Sequence, residues 1–248
     1  MIICKSPAEL EQMRRVGLVV WDVLENLRPL IQPGVKTIDL ERFAERKLAE
    51  AGARPAFKGY QGYPCVLCTS VNNEIVHGIP SDRVLRSGDI VSIDVGAELG
   101  RYYGDAAITV PVGEISPQLQ QLLRVTEEAL YRAIDKAKTE NRVSDISAAV
   151  QQHVEQHGFS VVREFVGHGI GTELHEEPQV PNFGEPGRGP RLKPGMVLAI
   201  EPMVNMGRPG AKILADKWTA VTEDGGYSAH FEHCVAVTDN GPWILTRP

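Results

Sequence analysis

Cysteine is scarce, with four residues among 248. They stand at positions 4, 65, 68 and 234, so no disulfide framework can be drawn. Cys65 and Cys68 form one CxxC with no second pair to complete a thiolate zinc site. No apolar run approaches the ~20 residues of a membrane helix. The N-terminal MIICKSPAELEQMRR has neither an apolar core nor a small-residue cleavage pattern. These absences predict a cytoplasmic chain with reduced thiols. Positive charge is not in excess: 26 Lys and Arg against 32 Asp and Glu leave a net charge of −6. That argues against nucleic acid or an anionic membrane as a direct partner. The zinc-helix pattern HExxH is missing, and so is the dinucleotide loop GxGxxG; the nearest match, GHGIG from Gly167, has the wrong spacing and runs on into acids and Pro178.

What is present is ordinary globular material, 42% hydrophobic and 23% charged, in a chain long enough to bury a substantial core. Ser6, Pro7 and Glu9 read as a helix start with a capping box. Leu10, Met13, Gly17, Val20, Leu24 and Leu27 then recur at helical spacing. Thr37 reads as the cap of a second helix ending near Gly52. Strand-like segments follow: CVLCTSV, DIVSIDVG and AAITVPV. After Pro117 the order repeats. Leu119, Leu122, Thr126, Leu130, Ala133 and Ala137 mark a long helix, and Ser144 or Asp145 reads as the cap of another. FSVVREFV, GMVLAIEPMV and HFEHCVAVT then read as strands.

The repeat extends to residues. VLRSGDIVSID (84–94) aligns without gaps on RLKPGMVLAIE (191–201), matching Asp94 to Glu201. GDAAITV from Gly104 resembles FEHCVAV from Phe231, matching Asp105 to Glu232. Each half also has an upstream histidine, His77 or His175, while His168 is unmatched. The expectation is a single domain, 1–248, of two pseudo-symmetric halves, about 1–112 and 113–248.

Four acids on apolar strands are costly unless cations intervene, because buried carboxylates without partners prefer to take up protons. Two divalent ions balance them, charge for charge, and bridging acids fix such a pair at ~3.5–4 Å. Four carboxylates with one imidazole suit Mn, Fe(II), Co or Zn.

At this point the chain resembles the bacterial-type (type I) methionine aminopeptidases of peptidase family M24. The resemblance covers nearly the whole chain. It is carried by EIVHGIP (74–80), SIDVG (92–96), Gly104-Asp105, GHGIGTELHEEPQVPN (167–182), AIEPM (199–203) and the FEH around Glu232. It implies an α+β pita-bread fold, a curved antiparallel sheet with helices outside and the metals in its hollow. It implies Asp94, Asp105, His168, Glu201 and Glu232 as ligands of two ions, with Asp105 and Glu232 bridging. It implies His77 and His175 as catalytic groups that contact substrate, with Glu201 taking a proton from the attacking water. Tyr60, Tyr63, Cys68 and Trp218 correspond to its methionine pocket. Leu174 stands where many members carry phenylalanine, a loss of volume that Phe57 can make good. The 31 residues from Glu201 to Glu232 leave no room for the extra helical subdomain of type II enzymes. The implied reaction is removal of the first methionine from nascent polypeptides, near the ribosome, when the second residue is small. A monomer is expected. Asn72 and Ser228 match positions that hold a monovalent cation through backbone oxygens in some relatives. His153 and His157, four apart on a predicted helix without acid partners, read as surface residues, and Cys65 and Cys68 as buried residues on opposite faces of a strand.

Overall fold

A computed structural model describes residues 1–248. Its first helix, α1 (Pro7–Leu27), starts as the sequence predicts: Ser6 and Glu9 close a capping box, and Pro7 opens the first turn. One face buries Leu10, Met13, Val16, Val20, Val23, Leu24 and Leu27. Each such side chain removed from water contributes about 1.5–3 kcal/mol, more than the few tenths per residue that separate helix propensities. Packing, not propensity, therefore holds α1.

Helix α2 (Thr37–Glu50) is capped differently from the sequence reading. Lys36 is its N-cap, and the Thr37 hydroxyl donates to the Ser81 carbonyl instead, tying the helix to a loop. Helix α3 (Pro117–Ile134) is capped by Ser116 and ends before Ala137. In α4 (Val143–Gln156) the N-cap is Arg142. Asp145 occupies the third position and accepts the Arg142 backbone N–H, while Ser144 bonds to Arg188.

The main sheet is curled and antiparallel. Its central order is 90–99, 102–111, 232–238, 197–200, 167–169, 176–180. Strand 67–71 adds to strand 90–99. The two halves meet where strand 102–111 pairs with strand 232–238, His233 opposite Ala106 and Glu232 opposite Ala107. A shift of 127 residues carries Ala106 onto His233 and Asp105 onto Glu232, so an approximate two-fold axis passes through this pairing. The turns before the aligned strands also match: Gly88 and Gly195 both have positive φ, +97° and +87°, a conformation glycine adopts without strain.

The segment 159–166 departs from expectation. Only 160–161 is strand there, paired with 203–205, and the chain reaches Gly167 without ladder bonds of its own sheet. Strand 74–76 pairs with 220–222, which pairs with 211–213, bringing His77 beside the turn that carries Trp218.

Helix α1 crosses the sheet at two glycines. A Cβ at Gly17 would collide with the Leu245 carbonyl, and one at Gly104 would lie 3.2 Å from the Gly17 nitrogen. Gly17→Ala sets a helix gain of about 1 kcal/mol against an overpacking cost of about 1–3 kcal/mol. The obstruction is backbone, which yields little, so a lower urea midpoint with an unchanged slope is expected for the metal-free protein. A midpoint at or above wild type would show that the C-terminal chain retreats freely.

Candidate metal centre

Five consecutive strands of the sheet each deliver one candidate metal-binding side chain to the hollow. Asp94 comes from 90–99, Asp105 from 102–111, Glu232 from 232–238, Glu201 from just beyond 197–200, and His168 from 167–169. The register explains their convergence. Asp94 lies opposite Ala107, and Ala107 opposite Glu232. Because Ile200 pairs with His233, Glu201 follows across from Glu232. Three acids thus share one row across the sheet, and Asp105, two residues from Ala107, shares its face. His168 pairs with Ala199 and so faces the same side as Glu201. With strands ~4.8 Å apart, the row sets neighbouring groups at metal-sharing distances. Donor atoms of Asp105, His168 and Glu232 lie within 4.8 Å of one another.

No lysine or arginine neutralises these acids. The only basic groups near them are imidazoles, with His168 Nε2 and His230 Nε2 each 3.7 Å from Glu201. Asp94 Oδ1, Asp105 Oδ1 and Glu232 Oε1 are buried without hydrogen-bond partners. Burial, followed by the charges of neighbouring acids, pushes Asp94, Glu201 and Glu232 well above the usual carboxylate range, and burial raises Asp105 as well. Orphaned oxygens, four like charges and an imidazole form a donor set that fits divalent metal.

His168 has the tautomer that a metal ligand needs. Its Nδ1 lies 2.8 Å from the Gly169 carbonyl, which can only accept. Nδ1 therefore carries the proton, and the Nε2 lone pair faces the acids. Burial, then the nearby His175, lowers its pKa to about 3, so it is neutral at working pH. His175 lies with its ring 4.2 Å from that of His168, and its Nδ1 meets the Tyr60 hydroxyl at 2.8 Å. The seven-residue offset is accommodated because the chain leaves the sheet after Gly169 and re-enters at Glu176. His77 sits at φ +61°, a left-handed conformation, with its ring edge-on to Phe165 and Trp218. Burial, then His175, lowers its pKa to about 4.

Every site residue read from the sequence lines a single cavity of about 340 Å³: the five candidate ligands, His77 and His175, and Tyr60, Tyr63, Cys68 and Trp218. Phe57, Gln61 and Leu174 complete its wall. The Tyr63 hydroxyl is occupied by the Leu67 and Gly78 carbonyls, so Tyr63 offers its ring, edge to face with Trp218 at 5.1 Å. Cys68 pairs with Asp94, and burial keeps its thiol protonated. Cys65 precedes the strand instead of sharing it and is half-buried. Asn72 and Ser228 are joined outside the cavity, the Ser228 N–H donating to the Asn72 carbonyl at 2.8 Å.

The sequence reading missed His230 altogether. It is 1% exposed, at the end of strand 228–230, and its Nε2 lies 3.7 Å from Glu201. His153 also corrects the sequence reading. It is buried against Glu128 at 3.0 Å, and His157 donates from Nδ1 to its carbonyl, so the pair is part of the α3–α4 packing.

Residues 11–239 match the model of metallopeptidase family M24. The chain is 56% identical to methionine aminopeptidase 1 of Bacillus subtilis, over 100% of both chains, and 53% identical to a methionine aminopeptidase of Clostridium perfringens, over 99% of both. The chain belongs to the methionine aminopeptidases of metallopeptidase family M24. The crystal structure of methionine aminopeptidase from Thermotoga maritima superposes with a TM-score of 0.99 at 47% identity, covering 100% of both chains. Prolidase from Pyrococcus furiosus shares the fold alone, with a TM-score of 0.81 at 24% identity over 99% of this chain and 66% of that one. Family membership and donor set agree on divalent metal at the five-strand row. No helix is long and apolar enough to cross a membrane.

Burial and mutual repulsion raise the proton affinity of these acids, so protons compete with metal for the centre. Calorimetry of metal binding at pH 7 in buffers of different ionisation enthalpy is expected to show proton release. Affinity is expected to rise from pH 6 to 8, since fewer protons then compete. Binding without proton release would mean that the acids are already ionised.

Proposed function

We propose that the protein removes the N-terminal methionine of new polypeptides whose second residue is small, using two divalent ions. The observation that carries this reading is the row of donors on five consecutive strands beneath a small, largely apolar cavity. Asp105 and Glu232 stand on the two central strands, and on this reading they would be the ligands common to both ions. Asp94 flanks them on one side, and Glu201 with His168 on the other. The metal is one of Mn, Fe(II), Co or Zn, as the O-rich set with one imidazole favours. A monovalent cation at the Asn72 and Ser228 carbonyls, and a single catalytic domain acting as a cytoplasmic monomer near the ribosome, belong to the same reading.

Bound divalent metal supplies Lewis acidity, lowering the pKa of water and polarising a carbonyl. The protein's residues do the rest. Glu201, whose proton affinity burial and Asp105 raise, takes the proton of the attacking water. This reading assigns the donor role in the Tyr60 contact to the phenol, so that His175 keeps its proton on Nε2 and donates it to the developing oxyanion. His77, neutral and half-buried, holds the substrate amide. Tyr63, Cys68, Leu174 and Trp218 enclose the methionine side chain, whose unbranched thioether adapts to such a wall. On this reading the cavity, about 340 Å³, receives the methionine side chain, and crowding beside it limits the second residue to a small one.

The two histidines of the glycine-rich segment are expected to part company on mutation. His168→Ala should eject metal, the ion shared with Glu201 first. His175→Ala should keep both ions and lose roughly 10²–10³ in kcat, the worth of one oxyanion donor. Metal content by mass spectrometry beside kinetics on a Met-Ala peptide decides it. Equal metal loss in both mutants would make both residues ligands.

Trp218→Ala is expected to raise KM for Met-Ala and Met-Val peptides while metal content stays at wild type. An X-Pro peptide, the control for a prolidase-like activity, should remain uncut. Rapid X-Pro cleavage would overturn the methionine reading, and metal loss in Trp218→Ala would place the indole in the structural core.

A further inference from the structure

Lys5 and Glu176 form an ion pair that water barely reaches: Nζ to Oε2 is 2.5 Å, and the side chains are 4% and 6% exposed. Neither residue belongs to the donor row. The pair joins the segment before α1 to the residue that follows His175. The second oxygen of Glu176 accepts the backbone N–H groups of Thr172, at 2.8 Å, and Glu173, at 3.4 Å. One carboxylate thus ties together both ends of the turn that ends at His175.

The anchor is itself fixed. The Lys5 N–H donates to the Gly195 carbonyl at 2.7 Å, and a Cβ at Gly195 would collide with the Lys5 carbonyl. A Cβ at Gly171 would collide with both Glu176 Oε1 and Lys5 Cε, so the pair packs directly on the turn's backbone. The Gly171 carbonyl in turn accepts the N–H of Tyr103, in the strand that carries Asp105. His175 stands at the cavity mouth with one side-chain hydrogen bond, to Tyr60, and its ring rests against those of His168 and Tyr60. Its aim depends on the turn beneath it.

We propose that Lys5 is a positioning residue for His175: through Glu176 it fixes the turn 171–176 and so aims the imidazole into the hollow. This rests on the role given to His175 above. Removing one partner of a buried pair leaves the other charge uncompensated. In Lys5→Met the Glu176 carboxylate is expected to rotate towards water and release the Thr172 and Glu173 N–H groups. His168, held by its ladder to strand 197–200, stays in place. A pair that merely pinned the N-terminal segment would leave His175 unaffected.

The test compares Lys5→Met, His175→Ala and the double mutant on a Met-Ala peptide, with metal content measured for each. Lys5→Met should retain wild-type metal and lose on the order of 10- to 100-fold in kcat, as small misplacements of catalytic groups do. KM should stay within about twofold. The double mutant should be no slower than His175→Ala alone, because both changes disable one group. In the metal-free protein, amide exchange at 171–176 should quicken while α1 is unchanged, a readout independent of turnover. Glu176→Gln, which keeps the volume and an acceptor for the two N–H groups, should show the same pattern at smaller amplitude and serves if Lys5→Met does not fold. Losses that multiply in the double mutant, loss of metal, or unchanged kcat and exchange would each overturn the proposal. A His175→Ala protein as fast as wild type would instead overturn the role of His175, and the exchange measurement would still decide the tether.

Discussion

Mutual repulsion among four buried carboxylates is the constraint that the rest of the hollow answers to. No protein cation neutralises them, and three of their oxygens lack hydrogen-bond partners. Such a cluster survives in a folded chain only if the scaffold is stiff enough to hold it and protons or a metal relieve it. Stiffness comes from placing the acids on neighbouring strands instead of loops. The four strands that carry or precede them are paired edge to edge, so no acid can withdraw without breaking ladder bonds. The apolar core continuous behind the sheet, from Leu10 of α1 to Leu245 near the C-terminus, supplies the stability against which the cluster is a local cost.

The two-fold repeat explains how two related halves build an asymmetric site. Asp94 answers Glu201, and Asp105 answers Glu232, so the acids are nearly symmetric. The symmetry breaks at one position. His168 pairs with Ala199, whose counterpart Ser92 pairs with Ser70. His168 therefore stands where the first half has a serine, and Ser70 uses its hydroxyl to accept the Gly78 N–H. Seven residues separate Ser70 from His77, as seven separate His168 from His175. One substitution within a duplicated frame thus converts a structural hydroxyl into a candidate metal ligand and makes the two ends of the acid row different.

The acids and helices were legible in the sequence because their signals are local and periodic. An acid inside VSIDV conflicts with its neighbours, and a 3,4 pattern of apolar residues needs no partner to be read. The repeat then linked distant acids. Features set by contacts between distant residues were not legible. Thr37 resembles a cap, yet its hydroxyl found Ser81, 44 residues away. The segment 159–166 has strand composition but is strand only at 160–161; the Val162 N–H still reaches the Met203 carbonyl, and the chain then bends at 163–164. His153 looks solvent-facing until Glu128 of the neighbouring helix covers it. His230 was not legible as a site neighbour: it ends strand 228–230 of a second sheet, and only the break at Phe231 before strand 232–238 brings its ring within 3.7 Å of Glu201.

The division of labour between strand and turn follows from what each backbone can specify. Metal donors need fixed mutual distances, and a ladder provides them to within the stiffness of a hydrogen-bonded strand. Groups that meet a substrate need to approach from above the sheet, where a strand cannot aim a side chain. His77 and His175, the groups proposed to meet substrate, lie just outside strands 74–76 and 176–180. His77 is held by a left-handed backbone that costs a non-glycine residue energy. That strain is retained because Gly78 is pressed against Thr69, where a Cβ would collide with the carbonyl oxygen, so the turn has no relaxed alternative nearby. His175 is held without such strain, by a turn whose glycines admit a buried ion pair. The two histidines of similar position in the repeat are thus fixed by opposite means, one by backbone strain and one by electrostatics. Only the second is open to weakening by removal of a charge remote from the hollow.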